Sequence, residues 1–122
     1  MPTAMTGRSI LIVEDEPLIA MMLEDFVESL GHTPAGSVDN ITDALGCVER
    51  GGFDLVILDV NLGTTECWPV ADQLAERSIP FILATGGHVT PPPAAHAGAP
   101  TLSKPFTLDS IREVLKSVVH SS

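Results

Sequence analysis

The chain is predicted to fold as a doubly wound α/β domain, with five parallel strands alternating with helices and a fourth helix that is short or irregular. Three observations carry this expectation. Apolar runs of strand length recur along the chain, stretches with apolar residues at helical spacing separate them, and four of the runs end in a polar or charged residue. With right-handed crossovers between successive parallel strands, a doubly wound sheet is the simplest architecture. Its organising stretch is Phe53-Asp54-Leu55-Val56-Ile57-Leu58-Asp59, nearly continuous in large apolar residues from Leu55 and closed by a carboxylate. Such a run suits a strand covered on both faces, and it leaves Asp59 at the strand's carboxyl end.

In chain order, Ser9-Ile10-Leu11-Ile12-Val13 reads as the first strand and breaks into Glu14-Asp15-Glu16-Pro17. Proline at a first helical position and acids near the helix dipole both favour a helix start there. From Ile19, the residues Met22, Leu23, Phe26, Val27 and Leu30 recur at helical spacing before Gly31, which reads as a C-cap. Residues 33–37 are a second, weaker strand. Asp39 or Asn40 then caps a helix whose inner face is Ile41, Ala44, Leu45 and Val48, stopped by Gly51-Gly52. After the Asp59 strand, residues 61–65 read as a loop, and Pro69 opens a helix through about Arg77 with Trp68 packing at its start.

Pro80-Phe81-Ile82-Leu83-Ala84 is the fourth apolar run and ends in Thr85-Gly86-Gly87. Four prolines then crowd residues 88–100, leaving 94–97 room for about one helical turn. Thr101-Leu102-Ser103 is a short final strand ending in Lys104-Pro105-Phe106. Thr107 caps a last helix with Ile111, Leu115, Val118 and Val119 inward. The expected division is a disordered leader over residues 1–7, one domain over 8–119 and a tail over 120–122.

At 122 residues, a single domain is expected to hold whatever activity is present. Six basic against sixteen acidic residues give a formal charge of -10, which disfavours nonspecific nucleic-acid binding because no basic surface displaces counterions from phosphates. Cys47 and Cys67 form no closely spaced pair with each other or with histidine, so neither a zinc site nor a disulfide framework is indicated, and reduced thiols in the cytoplasm are expected. No run approaches the roughly 18 apolar residues of a membrane span, and residues 1–7 lack the apolar core of a secretory signal.

The strand ends supply Glu14-Asp15, Asp59, Thr85 and Lys104, and parallel strands point their carboxyl ends at one edge, where open α/β sheets bind ligands. In the strand order 2-1-3-4-5, strands one and three adjoin at the topological switch point, which brings Glu14, Asp15 and Asp59 into one crevice. Two unit charges about 4 Å apart repel by roughly 4 kcal/mol at an effective dielectric near 20, so the cluster requires a cation or shifted pKa values. Hard oxygen ligands with room for water suit Mg²⁺. Lys104 adds a fixed positive charge and Thr85 a hydroxyl. Together with the metal these complement a phosphoryl group and leave Asp59 as a nucleophile able to form an aspartyl phosphate. Taken singly, each residue has an ordinary reading: Glu14 and Asp15 as acids at a helix start, Asp59 and Thr85 as turn residues, Lys104 as a solvated lysine. Their joint placement favours the functional one.

On Val13-Glu14-Asp15-Glu16, Leu58-Asp59-Val60-Asn61-Leu62, Ala84-Thr85-Gly86 and Ser103-Lys104-Pro105-Phe106, the sequence resembles the response-regulator receiver domain of two-component signalling, from about Arg8 to Val119. The resemblance implies a flavodoxin-like fold and Mg²⁺ bound by Glu14, Asp15, Asp59 and the backbone carbonyl of Asn61. It also implies phosphorylation of Asp59 by a histidine kinase or histidine phosphotransfer protein, with Thr85 and Lys104 reporting the phosphate to a downstream protein. A cis peptide at Lys104-Pro105 is typical of the family. Residues 69–72 and 80–86 are similar to a subgroup named for a Phe-Ala-Thr-Gly motif, with Leu83 where that motif has Phe.

Two departures affect the switch, one at residue 101 and one at the fourth helix, commonly part of the family's output face, which falls where the prolines crowd. Many receivers place Tyr or Phe three residues before the lysine, and here Thr101 has no ring to move inward. Residues 88–100 are expected to be mobile and to be ordered by phosphate or a partner. The leading expectation is a stand-alone phospho-accepting receiver that is not itself an enzyme. The alternative is an interaction module that signals without phosphate. An Asp-nucleophile phosphohydrolase of the haloacid dehalogenase type ranks lower, because such enzymes carry a second acid two positions after the nucleophile, where this chain has Asn61.

Overall fold

The computed structural model describes residues 7–63, 65–86 and 93–120. The expected leader, Gly7 apart, lies outside them, as do residues 88–92 of the proline-rich stretch, residues 121–122 of the tail and the inward side chain expected of Val119. The elements run β1 (Ser9–Val13), α1 (Pro17–Ser29), β2 (Thr33–Val38), α2 (Ile41–Arg50), β3 (Leu55–Asp59), β4 (Asn61–Leu62), β5 (Thr65–Glu66), α3 (Trp68–Glu76), β6 (Phe81–Thr85), β7 (Thr101–Ser103) and α4 (Leu108–His120). A 3-10 turn, Ala94–His96, stands where a fourth helix was expected to be short or irregular.

Five strands form one parallel sheet in the order β2-β1-β3-β6-β7, the doubly wound, flavodoxin-like arrangement with the reversal between β1 and β3. All five residues of β3 are buried, as its unbroken apolar pattern requires of a strand covered on both faces. Alternate side chains go to opposite sides. Ile10, Ile12, Leu55 and Ile57 meet Leu23 and Val27 of α1 and Ile111 and Leu115 of α4. Leu11, Val13, Val56 and Leu58 meet Ala44 and Val48 of α2 and Val70, Ala71 and Leu74 of α3. The sheet therefore divides the interior into two layers of core.

Local chemistry sets the helix limits. Pro17 occupies the first turn of α1, and the chain leaves that helix through Gly31 at φ +90°, with the Gly31 and His32 amides donating to the carbonyls of Glu28 and Val27. Asn40, not Asp39, caps α2: its Oδ1 accepts from the Asp43 amide at 2.8 Å. At α4, Thr107 Oγ1 accepts from the Ser110 amide while Ser110 Oγ accepts from the Thr107 amide, both at 3.0 Å, so two otherwise orphaned donors are satisfied reciprocally.

One edge strand, β2, carries a register break against β1 between Ile10 and Leu11. Thr33 donates its amide to Arg8 O on the β1 side, so the amide position of Pro34 faces the open edge, and proline has no hydrogen to offer there.

Residues 61–65 are not the plain loop expected from their composition. Asn61 pairs with Glu66 and Leu62 with Thr65 in an antiparallel hairpin. Burial of Leu62 pins one side, and Gly63, at φ +68°, takes the left-handed turn conformation that a side chain would resist.

Candidate functional site

The carboxyl ends of β1, β3, β6 and β7 meet at one rim. Val13 is in register with Leu58, so Glu14 and Asp59, the next residue on each strand, are neighbours at the switch point. Both are buried, and one carboxylate oxygen from each of Glu14, Asp15 and Asp59 can be chosen so that all lie within 4.8 Å of one another. Lys104, immediately after β7, extends its Nζ to 3.1 Å from Glu14 Oε1, 3.4 Å from Asp59 Oδ2 and 3.9 Å from Glu16 Oε1. The Lys104-Pro105 peptide is cis, and the Lys104 amide donates to Thr85 O at 2.9 Å. Thr85 ends β6 one residue beyond Ala84, which is in register with Asp59. The strand pattern thus brings Glu14, Asp15, Asp59 and Lys104 into one cluster with Thr85 on the same rim.

Backbone amides orient the acids. The Glu16 amide donates to Glu14 Oε2 at 3.1 Å, the Asn61 amide to Asp59 Oδ1 at 3.3 Å, and the Gly63 amide to Asp15 Oδ2 at 2.9 Å. The last of these ties the β4–β5 hairpin to the cluster. Glu16 is legible in the sequence only as the last acid of the Val13-Glu14-Asp15-Glu16 motif and Gly63 only as part of a loop, since an acid before a helix and a glycine in a polar stretch are common without any site.

Electrostatically the cluster is poised rather than relaxed. Burial pushes the Glu14 carboxyl up to about 7, the Asp59 charge adding to the rise, while the Glu16 amide and Lys104 act against it. Burial likewise raises Asp59, opposed by Lys104. Burial works against the Lys104 ammonium, yet Glu14 and Asp59 together carry its pKa above the usual lysine value. Cys67, fully buried at the flank, has its thiol pushed up to about 12 by burial with the Asp59 charge assisting, so it is a protonated packing group and not a nucleophile.

The donor set suits a small hard cation. Three carboxylates converge, and Glu14 Oε1 is buried without an aligned hydrogen bond, its charge neighbour being the Lys104 ammonium. Mg²⁺ is held by one or two carboxylates plus waters and phosphate oxygens, and this cluster can supply that number while leaving positions open.

A five-stranded parallel sheet with an acidic cluster and a lysine at one rim places the chain in the class of flavodoxin-like α/β domains, and the comparisons agree with it. The chain belongs to the response regulator receiver domain family, whose model matches residues 10–116. SdrG from Sphingomonas melonis Fr1 is 50% identical and superposes with a TM-score of 0.83, covering 98% of this chain and 99% of that one. The BeF3-activated conformation of SdrG from Pseudomonas melonis Fr1 is 53% identical, with a TM-score of 0.79 over 91% of this chain and 95% of the other. The transcriptional regulatory protein TcrA of Mycobacterium tuberculosis is 33% identical over 121 residues. That match takes in 93% of this chain and 46% of TcrA, so the chain spans about half that relative's length. It is thus a receiver domain of two-component signalling. Among the described residues no helix is long and apolar enough to cross a membrane.

Proposed function

We propose that Asp59 is a phosphoryl acceptor, charged by the phosphohistidine of a histidine kinase or histidine phosphotransfer protein in a Mg²⁺-dependent reaction, and that the phosphorylated chain changes its affinity for a downstream protein. One observation carries the reading: Lys104 stands 3.1 Å from Glu14 and 3.4 Å from Asp59 at the point where the three acids converge. A carboxylate nucleophile beside a fixed ammonium, with two further acids at hand, is suited to receive a dianionic group.

The bookkeeping of the transfer is simple. An Asp59 carboxylate oxygen forms a bond to phosphorus, the phosphorus–nitrogen bond of the donor breaks, and its electron pair leaves with the imidazole, which takes a proton. Lys104 neutralises phosphoryl oxygens during and after transfer, and the Thr85 hydroxyl donates to one of them. The Asn61 amide holds the other Asp59 oxygen in place. Glu14, Asp15, Asp59 and the Asn61 carbonyl would hold the ion, which when bound supplies charge neutralisation for the transferring group.

Support also comes from SdrG, whose BeF3-activated conformation belongs to a protein 53% identical to this chain. Beryllium trifluoride on a carboxylate has the shape and charge of a phosphoryl group. Thr101 offers no ring to move, and the hydrogen bond from the Lys104 amide to Thr85 O ties the two phosphate-facing residues together. Intact-mass analysis after exposure to a small phosphodonor with Mg²⁺ tests the reading. One added phosphoryl group is expected on the native chain and none on Asp59→Asn. An unmodified native chain, or equal modification of both, would overturn it.

A further inference from the structure

The approach to β7 is attached to the rest of the molecule in an unusual way. Pro93, Ala94, Ala95, Ala97 and Gly98 are all exposed and short, and none has a side chain that could anchor the segment. His96 is the exception. It is 5% exposed, and with Glu14 and Asp59 it makes up the buried polar or charged residues among those described. Its Nε2 lies 2.7 Å from Asp72 Oδ1 on α3. Its ring stacks on Trp68 at 6.0 Å between centroids with the planes 10° apart, and meets the edge of Phe81 at 5.7 Å. On the α4 side, Ala95, His96 and Gly98 border a cleft of about 580 Å³ that they share with Ser117 and Val118.

We propose that His96 is a latch, the side chain that fastens residues 93–98 to α3 and so positions the connection leading into β7 and Lys104. The reasoning is one of supply. Among the described residues the backbone bonds of the segment, His96 to Pro93 O, Ala97 to Ala94 O and Ala99 to His96 O, are internal to it, and its last residue, Ala99, packs partly buried against the core on the α2–α3 side. The Leu83 amide reaches Pro100 O only at its far end. For residues 93–98 the side-chain attachment is the imidazole, held by a carboxylate on one nitrogen and by rings on two sides. The latch is also wired to the site end of α3. Trp68 follows Cys67, whose amide donates to the carbonyl of Val60, the residue next to Asp59. The inference concerns the unmodified chain and stands apart from the phosphoryl reading.

Amide hydrogen exchange on the metal-free, unphosphorylated protein tests it. His96→Leu keeps apolar volume without a donor, and Asp72→Ala removes the acceptor from a largely exposed position. Each is expected to speed exchange at Ala97 and Ala99 about tenfold, the scale of a lost hydrogen bond to a charged group. The double variant is expected to be no faster than His96→Leu alone, because the Asp72 contact is already lost with the imidazole. His96→Gln, which returns an N–H near the Nε2 position, should recover part of the protection. Unchanged rates at Ala97 and Ala99 in both single variants, additive effects in the double, no recovery with Gln, or equal acceleration at Ile12 and Ile57 in the sheet would each overturn the latch.

Discussion

Glu14 holds a carboxyl in a place that suits its charged form poorly. Its pKa is about 7 in the folded chain, raised first by burial and then by Asp59, against 4.5 as the ordinary value. The folded state therefore binds more protons than the unfolded one between those values. Stability from this group is fully present below about 4.5 and is lost as pH rises through about 7. Glu14→Gln removes the charge and keeps the shape. In metal-free buffer, the variant is expected to gain on the native chain by on the order of 1–2 kcal/mol as pH is raised from 5 to 8, read by thermal or denaturant melts. Saturating Mg²⁺ should cancel that gain, because a bound cation rewards the carboxylate in the native chain and has less to hold in the variant. A gain that persisted unchanged in Mg²⁺ would remove Glu14 from the ion's ligands.

Among the elements, end signals in the sequence translated directly. Asn40 caps α2 through the Asp43 amide, and Asn40→Ala is expected to cost about 1 kcal/mol in urea unfolding with an unchanged m-value. β1, β3, β6 and the main helices were legible because each has either a continuous apolar run or a 3.6-residue period, whereas β2 (Thr33-Pro34-Ala35-Gly36-Ser37-Val38) and β7 (Thr101-Leu102-Ser103) carry no such run and read only weakly; the polar residues that follow the strands located the rim. What stayed hidden has a physical reason in each case. The β4–β5 hairpin has two-residue strands, too short for any period to register, and its anchors are the buried Leu62 and a glycine contact to Asp15. The His96–Asp72 pair joins residues 24 apart whose types are unremarkable, and only the packing of α3 beside segment 93–99 brings them together. The choice between Asp39 and Asn40 as cap was open because both side chains can accept; the fold decides it by which one reaches the Asp43 amide.

For the whole molecule, the sheet acts as a wall between two cores. Leu23 is fully buried on the α1–α4 side and Leu74 fully buried on the α2–α3 side. Leu23→Ala and Leu74→Ala are each expected to cost about 2–5 kcal/mol, and in a double variant rescued by stabilising conditions their costs should add within about 0.5 kcal/mol, since the two share no partner. Strong coupling in equilibrium unfolding would mean that the wall transmits strain. The open rim of β2 has a consequence for life at high concentration. Where another chain's extended backbone would lie alongside to prolong the sheet, it meets a missing donor at Pro34 and a ladder already out of step between Ile10 and Leu11. A sixth strand therefore finds a poorer template there, and crowded copies are less prone to extend the sheet from this edge.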